Sequence, residues 1–248
     1  MDPDRRCQSD MTVYEFLPTR TNMLEHYCVA FERDLEDLIA GQDPYSIIDL
    51  SYQNLTDASM PCIIKNAIYR KECKILNLWG NRFTSKSLFV LIKALEGNQT
   101  LHELDLSHNS LGDDGIQILS QFFSLNNCEI KHLDLSSNNV TEVGAHSIAD
   151  MLRRNRTIKR LSLNKNDITD IGLVRIAEEI QNGNERIVEL KFDDNPNITR
   201  EGIEAVLGIL RNHRSLEGIY VQNCGVFSQR IKEDLEENAF RTGFDVFV

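Results

Sequence analysis

Six histidines, at positions 26, 102, 108, 132, 146 and 213, are the side chains here best suited to proton transfer or metal binding. A zinc centre needs three or four ligands at defined spacing. Only His108 and His132 stand where the pattern of the chain could bring them together. Six cysteines, at 7, 28, 62, 73, 128 and 224, are scattered without C-x-x-C spacing, which suits reduced thiols in a cytoplasmic protein better than a disulfide framework or a zinc site. A Gly-rich phosphate loop, an H-E-x-x-H pair, a G-x-S-x-G elbow and an EF-hand loop are all missing. The expectation is a chain without catalytic residues, metal or cofactor. What remains is the chemistry of recognition. Trp79 is the single tryptophan, Tyr52 falls next to it from the previous unit, and Asp49, Asn77, Asp105 and Asp134 recur at one fixed position.

The elements that must position these residues follow from a repeat. Ile48, Leu76, Leu104, Leu133, Leu161, Leu190 and Ile219 mark seven units at spacings of 28, 28, 29, 28, 29 and 29 residues. Self-similarity at a fixed period of this size means a solenoid, in which each unit buries its apolar side only against its neighbours. Each unit opens with apolar/polar alternation, as in Leu104-Asp105-Leu106, the mark of a short strand with one buried side. It then changes to helical spacing, as in Ile203, Val206, Leu207 and Leu210. Thr84, Thr141, Thr169 and Thr199 stand at N-cap positions, and Asn98, Asn127, Asn155, Asn184 and Asn212 stand where the helices should end. Gly115, Gly144, Gly172 and Gly202 suit close approach of one helix to the next.

The pattern L-x-x-L-x-L-x-x-N/C-x-L, in units of this length with a full helix, resembles the ribonuclease-inhibitor-like subfamily of leucine-rich repeats, over roughly residues 45–240. The resemblance implies an α/β horseshoe segment, with a parallel sheet on the concave side and helices on the convex side. Asn81, Asn109, Asn138, Asn166 and Asn195 match the ladder position, where an amide side chain bonds backbone groups of the turn. Gln53 and Cys224 depart from asparagine there, and Asn195-Pro196-Asn197 carries one residue more than the other turns, so that turn should bulge. Relatives in this subfamily include ribonuclease inhibitor, the sensor domains of NOD-like receptors, the Ran GTPase-activating protein and the tropomodulin tail. The resemblance implies a module that binds protein. The alternatives on the same scaffold are a Ran-type GTPase activator, to which Arg82 or Lys165 could lend charge, an enzyme inhibitor, and an actin regulator. An endogenous signalling protein and an effector delivered into host cells would share these features.

Residues 1–44 fit the repeat poorly. Leu24, Tyr27, Cys28, Phe31, Leu35, Leu38 and Ile39 share one helical side, which reads as an N-terminal helical cap over 1–44. The repeats then occupy 45–240, and the apolar tail, 241–248, should fold over the last one. The formal net charge of −11 argues against nucleic acid or an anionic membrane as partner. Ten acids against four arginines place −6 of it in residues 1–44. No apolar run is long enough for a membrane span, and the N-terminus lacks a signal-peptide pattern. A cytoplasmic monomer is expected.

The outward positions of each unit are the residue before the Leu-x-Leu pair, the one between, and the two after. They bring Tyr52, Trp79, Asp49, Asn77, Asp105, His108, Asp134, Arg160, Lys191 and Tyr220 to the concave side as candidate partner contacts. Large aromatics are efficient anchors because they bury much area with few rotors to freeze. Asp49, Asp105 and Asp134 should make an acidic stripe that suits a partner with a basic surface.

Overall fold

The computed structural model describes residues 31–211, 213–225, 233, 237 and 245–247. Helix α1 (Phe31–Ala40) leads into β1 (Ile47–Asp49). Seven strand-to-strand steps follow: α2 (Met60–Ile63), β2 (Ile75–Asn77), α3 (Ser85–Leu95), β3 (Glu103–Asp105), α4 (Gly112–Phe123), β4 (His132–Asp134), α5 (Glu142–Arg154), β5 (Arg160–Ser162), α6 (Asp170–Gln181), β6 (Glu189–Lys191), α7 (Arg200–Ile209), β7 (Gly218–Tyr220) and β8 (Asp245–Phe247). All eight strands pair in parallel and in chain order, as a right-handed strand–helix repeat requires. The seven marker residues lie in one register, Ile48 on Leu76 on Leu104 and so to Ile219, and each is buried. One apolar core runs unbroken from Leu35 to Cys224.

The asparagine ladder ties each unit to the one before it. Asn166 Nδ2 donates to Leu163 O of its own unit (3.0 Å) and to Leu135 O of the previous unit (3.2 Å). Its Oδ1 accepts from Val140 N and Asn138 N, both at 3.0 Å. Asn81, Asn109, Asn138 and Asn195 bridge units in the same manner. Among the described residues no strand precedes the unit of Gln53, and its amide donates to Ser51 O of its own turn. Cys224 keeps one ladder bond, Sγ to Phe192 O at 3.0 Å, and burial pushes its thiol up to about 11. The extra residue beside Pro196 is taken up in a turn closed by Ile198 N donating to Asn195 O, so Asn195 stays in register.

A second ladder joins the helix starts. Asp113 Oδ1 accepts from Thr141 N (2.9 Å) and Gly144 N (3.0 Å), and its Oδ2 from Thr141 Oγ (2.6 Å). Asp57 with Thr84, and Asp170 with Thr199, repeat the pairing. A Cβ at Gly144 would fall on Asp113 Oδ1, which is the physical reason for glycine there. The hydroxyls of Thr84, Thr141 and Thr169 also accept from amides of their own first turns, as expected of N-caps. Thr199 makes no such bond; its hydroxyl, which faces Asp170 as those of Thr84 and Thr141 face Asp57 and Asp113, also has Glu201 Oε2 at 2.6 Å. Asn155 and Asn184 end their units by accepting two following amides each while donating to the helix end of the previous unit. Asn212 lies outside the described residues.

The first unit departs from the others: its helix widens after Ile63 into a π-helical stretch, Ile64–Arg70. Helix α1 is fastened to it at three points. Glu36 accepts from Lys65 and Asn66, Lys71 Nζ donates to Ala40 O and Gln42 O, and the Gln42 amide pairs with Asp49. The Lys65 and Asn66 bonds hold the Glu36 carboxyl below its ordinary range. Leu24, Tyr27 and Cys28 lie outside the described residues, as do Phe240 and Phe244 of the tail. The described piece of the tail continues the sheet as β8, in register with β7. Among the described residues, no helix is long and apolar enough to cross a membrane.

Candidate functional site

The outward strand positions form the concave side of the sheet. Two residues past each Leu-x-Leu pair the backbone takes a left-handed φ in all seven units, from 52° at Ser137 to 67° at Gly80. That kink turns successive side chains toward the same side, which plain alternation would not. Tyr52 uses it to lay its ring across Gly80. A Cβ there would stand 2.7 Å from Tyr52 Cε1, so glycine is needed for space as well as for φ.

Tyr52, Trp79 and His108 make a continuous ridge across three units. Tyr52 meets Trp79 nearly edge-on at 4.1 Å between ring centres, and Trp79 meets His108 at 5.7 Å and 82°. These spacings leave no slot between rings for a cation, so the ridge presents an edge to be packed against. Tyr52 is 63 % exposed and His108 is exposed, whereas Trp79 is half-buried between them.

Asp49, Asn77, Asp105 and Asp134 lie in one register across β1–β4. Each also ends its own strand: Oδ1 accepts the amide of Ser51, Trp79, Ser107 or Ser136 two residues on, at 2.8–3.0 Å. That asparagine serves at 77 shows that this bond needs an oxygen and no charge. The negative charge at the other three positions is not required by the turn. Burial raises the Asp134 carboxyl above the ordinary range, opposed by its Ser136 bonds and reinforced by the charge of Asp105.

Farther along, the expected residues enter separate groups. Arg160 Nη1 lies 3.0 Å from His132 Nε2, and His132 Nδ1 lies 2.9 Å from Glu103 Oε1. An imidazole protonated on Nδ1 alone donates to the carboxylate and accepts from the guanidinium. Lys191 pairs with Glu189 at 3.3 Å and stands 5.1 Å above the Tyr220 ring. Tyr220 stacks on Phe247 at 4.4 Å. His108 and His132 do not form a pair: His108 lies beside Trp79 and Ser137 in the turn after β3, and His132 opens β4 against Glu103. Ser107, Ser136 and Gly218, outward by position, are buried. Sequence reasoning passed over Phe247, whose signal was the 27-residue step from Ile219 to Val246; Ile47, outward by the same rule, is half-exposed beside Ile75 and opens the strand at the other end from Tyr52.

A family model described as Leucine Rich repeat matches residues 97–120, 126–149 and 154–177. The chain is 27 % identical over 209 residues to the rhesus macaque (Macaca mulatta) NACHT, LRR and PYD domains-containing protein 3, covering 84 % of this chain and 20 % of that protein. It is 24 % identical over 193 residues to mouse (Mus musculus) ribonuclease inhibitor, covering 77 % of this chain and 42 % of the inhibitor. A third relative is the Caenorhabditis elegans protein phosphatase 1 regulatory subunit 37 homolog, 36 % identical over 110 residues, or 43 % of this chain and 11 % of that one. The chain thus spans less than half the length of each of these relatives. Among solved structures, leiomodin-1 actin-binding site 2 superposes with a TM-score of 0.52 at 18 % identity, covering 63 % of this chain and 88 % of that one, a likeness of fold.

Proposed function

The chain is a leucine-rich repeat protein of the ribonuclease-inhibitor-like type, and we propose that it is a non-enzymatic module that binds a protein partner on the concave side of its sheet. The observation that carries this reading is the Tyr52–Trp79–His108 ridge, a run of ring contacts across three units at outward positions that neither core nor ladder requires. Relatives named as an inhibitor and as a regulatory subunit act by binding, which supports the same reading. In this proposal Asp49, Asp105 and Asp134 favour a partner with a basic surface, and Arg160, Lys191 and Tyr220 supply contacts toward the other end. Residues 1–44 act as a cap, the repeats occupy 45–240, 241–248 closes the last unit, and the protein works as a cytoplasmic monomer.

The test is affinity capture from cell extract with quantitative mass spectrometry, comparing the wild type with Trp79→Ala/Asp105→Lys. Removing a buried aromatic anchor and reversing one charge should weaken a specific partner by at least about tenfold, roughly 1.4 kcal/mol. A partner recovered equally by both proteins refutes the concave-side reading.

A further inference from the structure

We propose that units 1–4 read an extended partner segment carrying one large apolar side chain and, about three residues away, a lysine or arginine. The inference rests on the concave-side reading and adds to it the place and the chemistry of the bound segment.

Among the described residues, exposed apolar surface gathers around the first unit. Of the nine large apolar side chains standing exposed among them, four lie between residues 38 and 52, and they include Tyr45 (59 %), Ile47 (51 %) and Tyr52. On β1 and β2 the outward positions pair Ile47 with Ile75 at the strand starts and Tyr52 with Trp79 past the strand ends. No comparable apolar pair recurs at the outward positions of units 3–6.

Charge supplies the second part. Across the outward positions of units 1–4 stand Asp49, Glu103, Asp105 and Asp134, and no lysine or arginine. The first cation at these positions is Arg160 in unit 5. Asp105 and Asp134 are register neighbours, and Oδ1 of each is committed to its turn. Ser136 bonds Asp134 through its hydroxyl as well as its amide. Two adjacent carboxylates, each with two acceptor oxygens, make a seat for a single cation. Burial chiefly raises the Asp134 carboxyl, the charge of Asp105 adds to this and Lys191 opposes it, and a cation seated there relieves the Asp105 repulsion.

Spacing joins the parts. Strands lie about 4.8 Å apart, so the acid on β4 is about 10 Å across the sheet from β2. Extended backbone advances about 3.3 Å per residue, which makes that step three residues. A segment crossing the strands can therefore rest its apolar side chain on the Tyr52–Trp79 ridge and its cation between Asp105 and Asp134.

The experiment is selection of a displayed random-peptide library on the full chain, followed by binding of the enriched peptides to variants. Enriched peptides should share an apolar residue three positions from Lys or Arg and bind more weakly as salt rises. Asp134→Asn keeps the turn bond, as Asn77 shows, and should lose at least tenfold for those peptides. Selection repeated on that variant should keep the apolar residue and drop the cation. Trp79→Ala should do the reverse. Peptides that lose affinity with Lys191→Ala or Tyr220→Ala, but not with Trp79→Ala or Asp134→Asn, overturn this inference and leave the concave reading standing. Peptides indifferent to all four variants sink both. Enrichment of acidic peptides, or of none, also overturns the inference.

Discussion

Asn166→Ala should cost about 3–5 kcal/mol, because the side chain answers for groups that nothing else can reach. Its Oδ1 is the acceptor for two backbone amides, Asn138 N and Val140 N, and its Nδ2 is the donor to Leu135 O. Leu163 O keeps a second donor in Asn195 Nδ2, and Asn164 O keeps Ser137 N, so those two carbonyls survive the truncation. Three groups are orphaned. A buried unsatisfied group costs about 1–3 kcal/mol, and a water admitted to the gap brings the total toward the lower end. Against a usual domain stability of about 5–15 kcal/mol this is a large loss. Cysteine is the built-in comparison, because Cys224 holds the ladder position with one bond to Phe192 O. Asn166→Cys should therefore fall between wild type and alanine. Urea unfolding followed by circular dichroism gives the ranking. Hydrogen exchange should place the weakened region in units 4 and 5, since each unit couples chiefly to its neighbours. A loss below about 1 kcal/mol for alanine would refute the reasoning that these three backbone groups depend on Asn166.

Three further outcomes follow from other parts of the molecule. Asp134→Asn should be at least as stable as wild type at neutral pH. The folded state raises this carboxyl, so ionised Asp134 opposes folding, and its penalty is relieved as pH falls through the raised value; urea midpoints from neutral pH downward should show that rise in wild type and its loss in the variant. Gly80→Ala forces an L-residue into a left-handed φ and drives a methyl into the Tyr52 ring, costing about 1–2 kcal/mol and dislodging Tyr52 from Trp79, measurable as a lower melting temperature with altered tryptophan emission. Gln42→Ala removes the amide that bonds both Asp49 N (2.7 Å) and Asp49 O (3.1 Å) on the open edge of β1. An uncovered edge pairs with other strands, so sedimentation should show more self-association than in the wild type; an unchanged profile would mean that Gln42 does not guard the edge.

The solenoid was readable from sequence because its two signals are local. Alternation around Leu104 and helical spacing around Leu207 need no knowledge of distant partners, and the 28–29-residue step lines the strands up in register. The bridging bonds were not readable. Asp113 and Thr141 are 28 residues apart and hold each other only once the helices are stacked. The same limit hid Thr199, whose hydroxyl also meets Glu201. At the site, alternation placed Trp79 on the outward side, and the left-handed turn brings Tyr52 beside it. It did not reveal that Asp49, Asp105 and Asp134 also end their strands, because such a turn depends on the conformation of the following residues. Val246 kept the repeat spacing, yet an apolar tail reads equally as a cover or as a strand until its pairing is seen.

The concave-side reading is tested most directly by hydrogen–deuterium exchange on the chain alone and in complex with its captured partner. Slowed exchange should concentrate at 47–52, 75–80, 103–108 and 132–137, the strands and turns that carry Tyr52, Trp79, Asp105 and Asp134. Protection confined to helices 85–95, 112–123 and 142–154, with those strands unchanged, would contradict it.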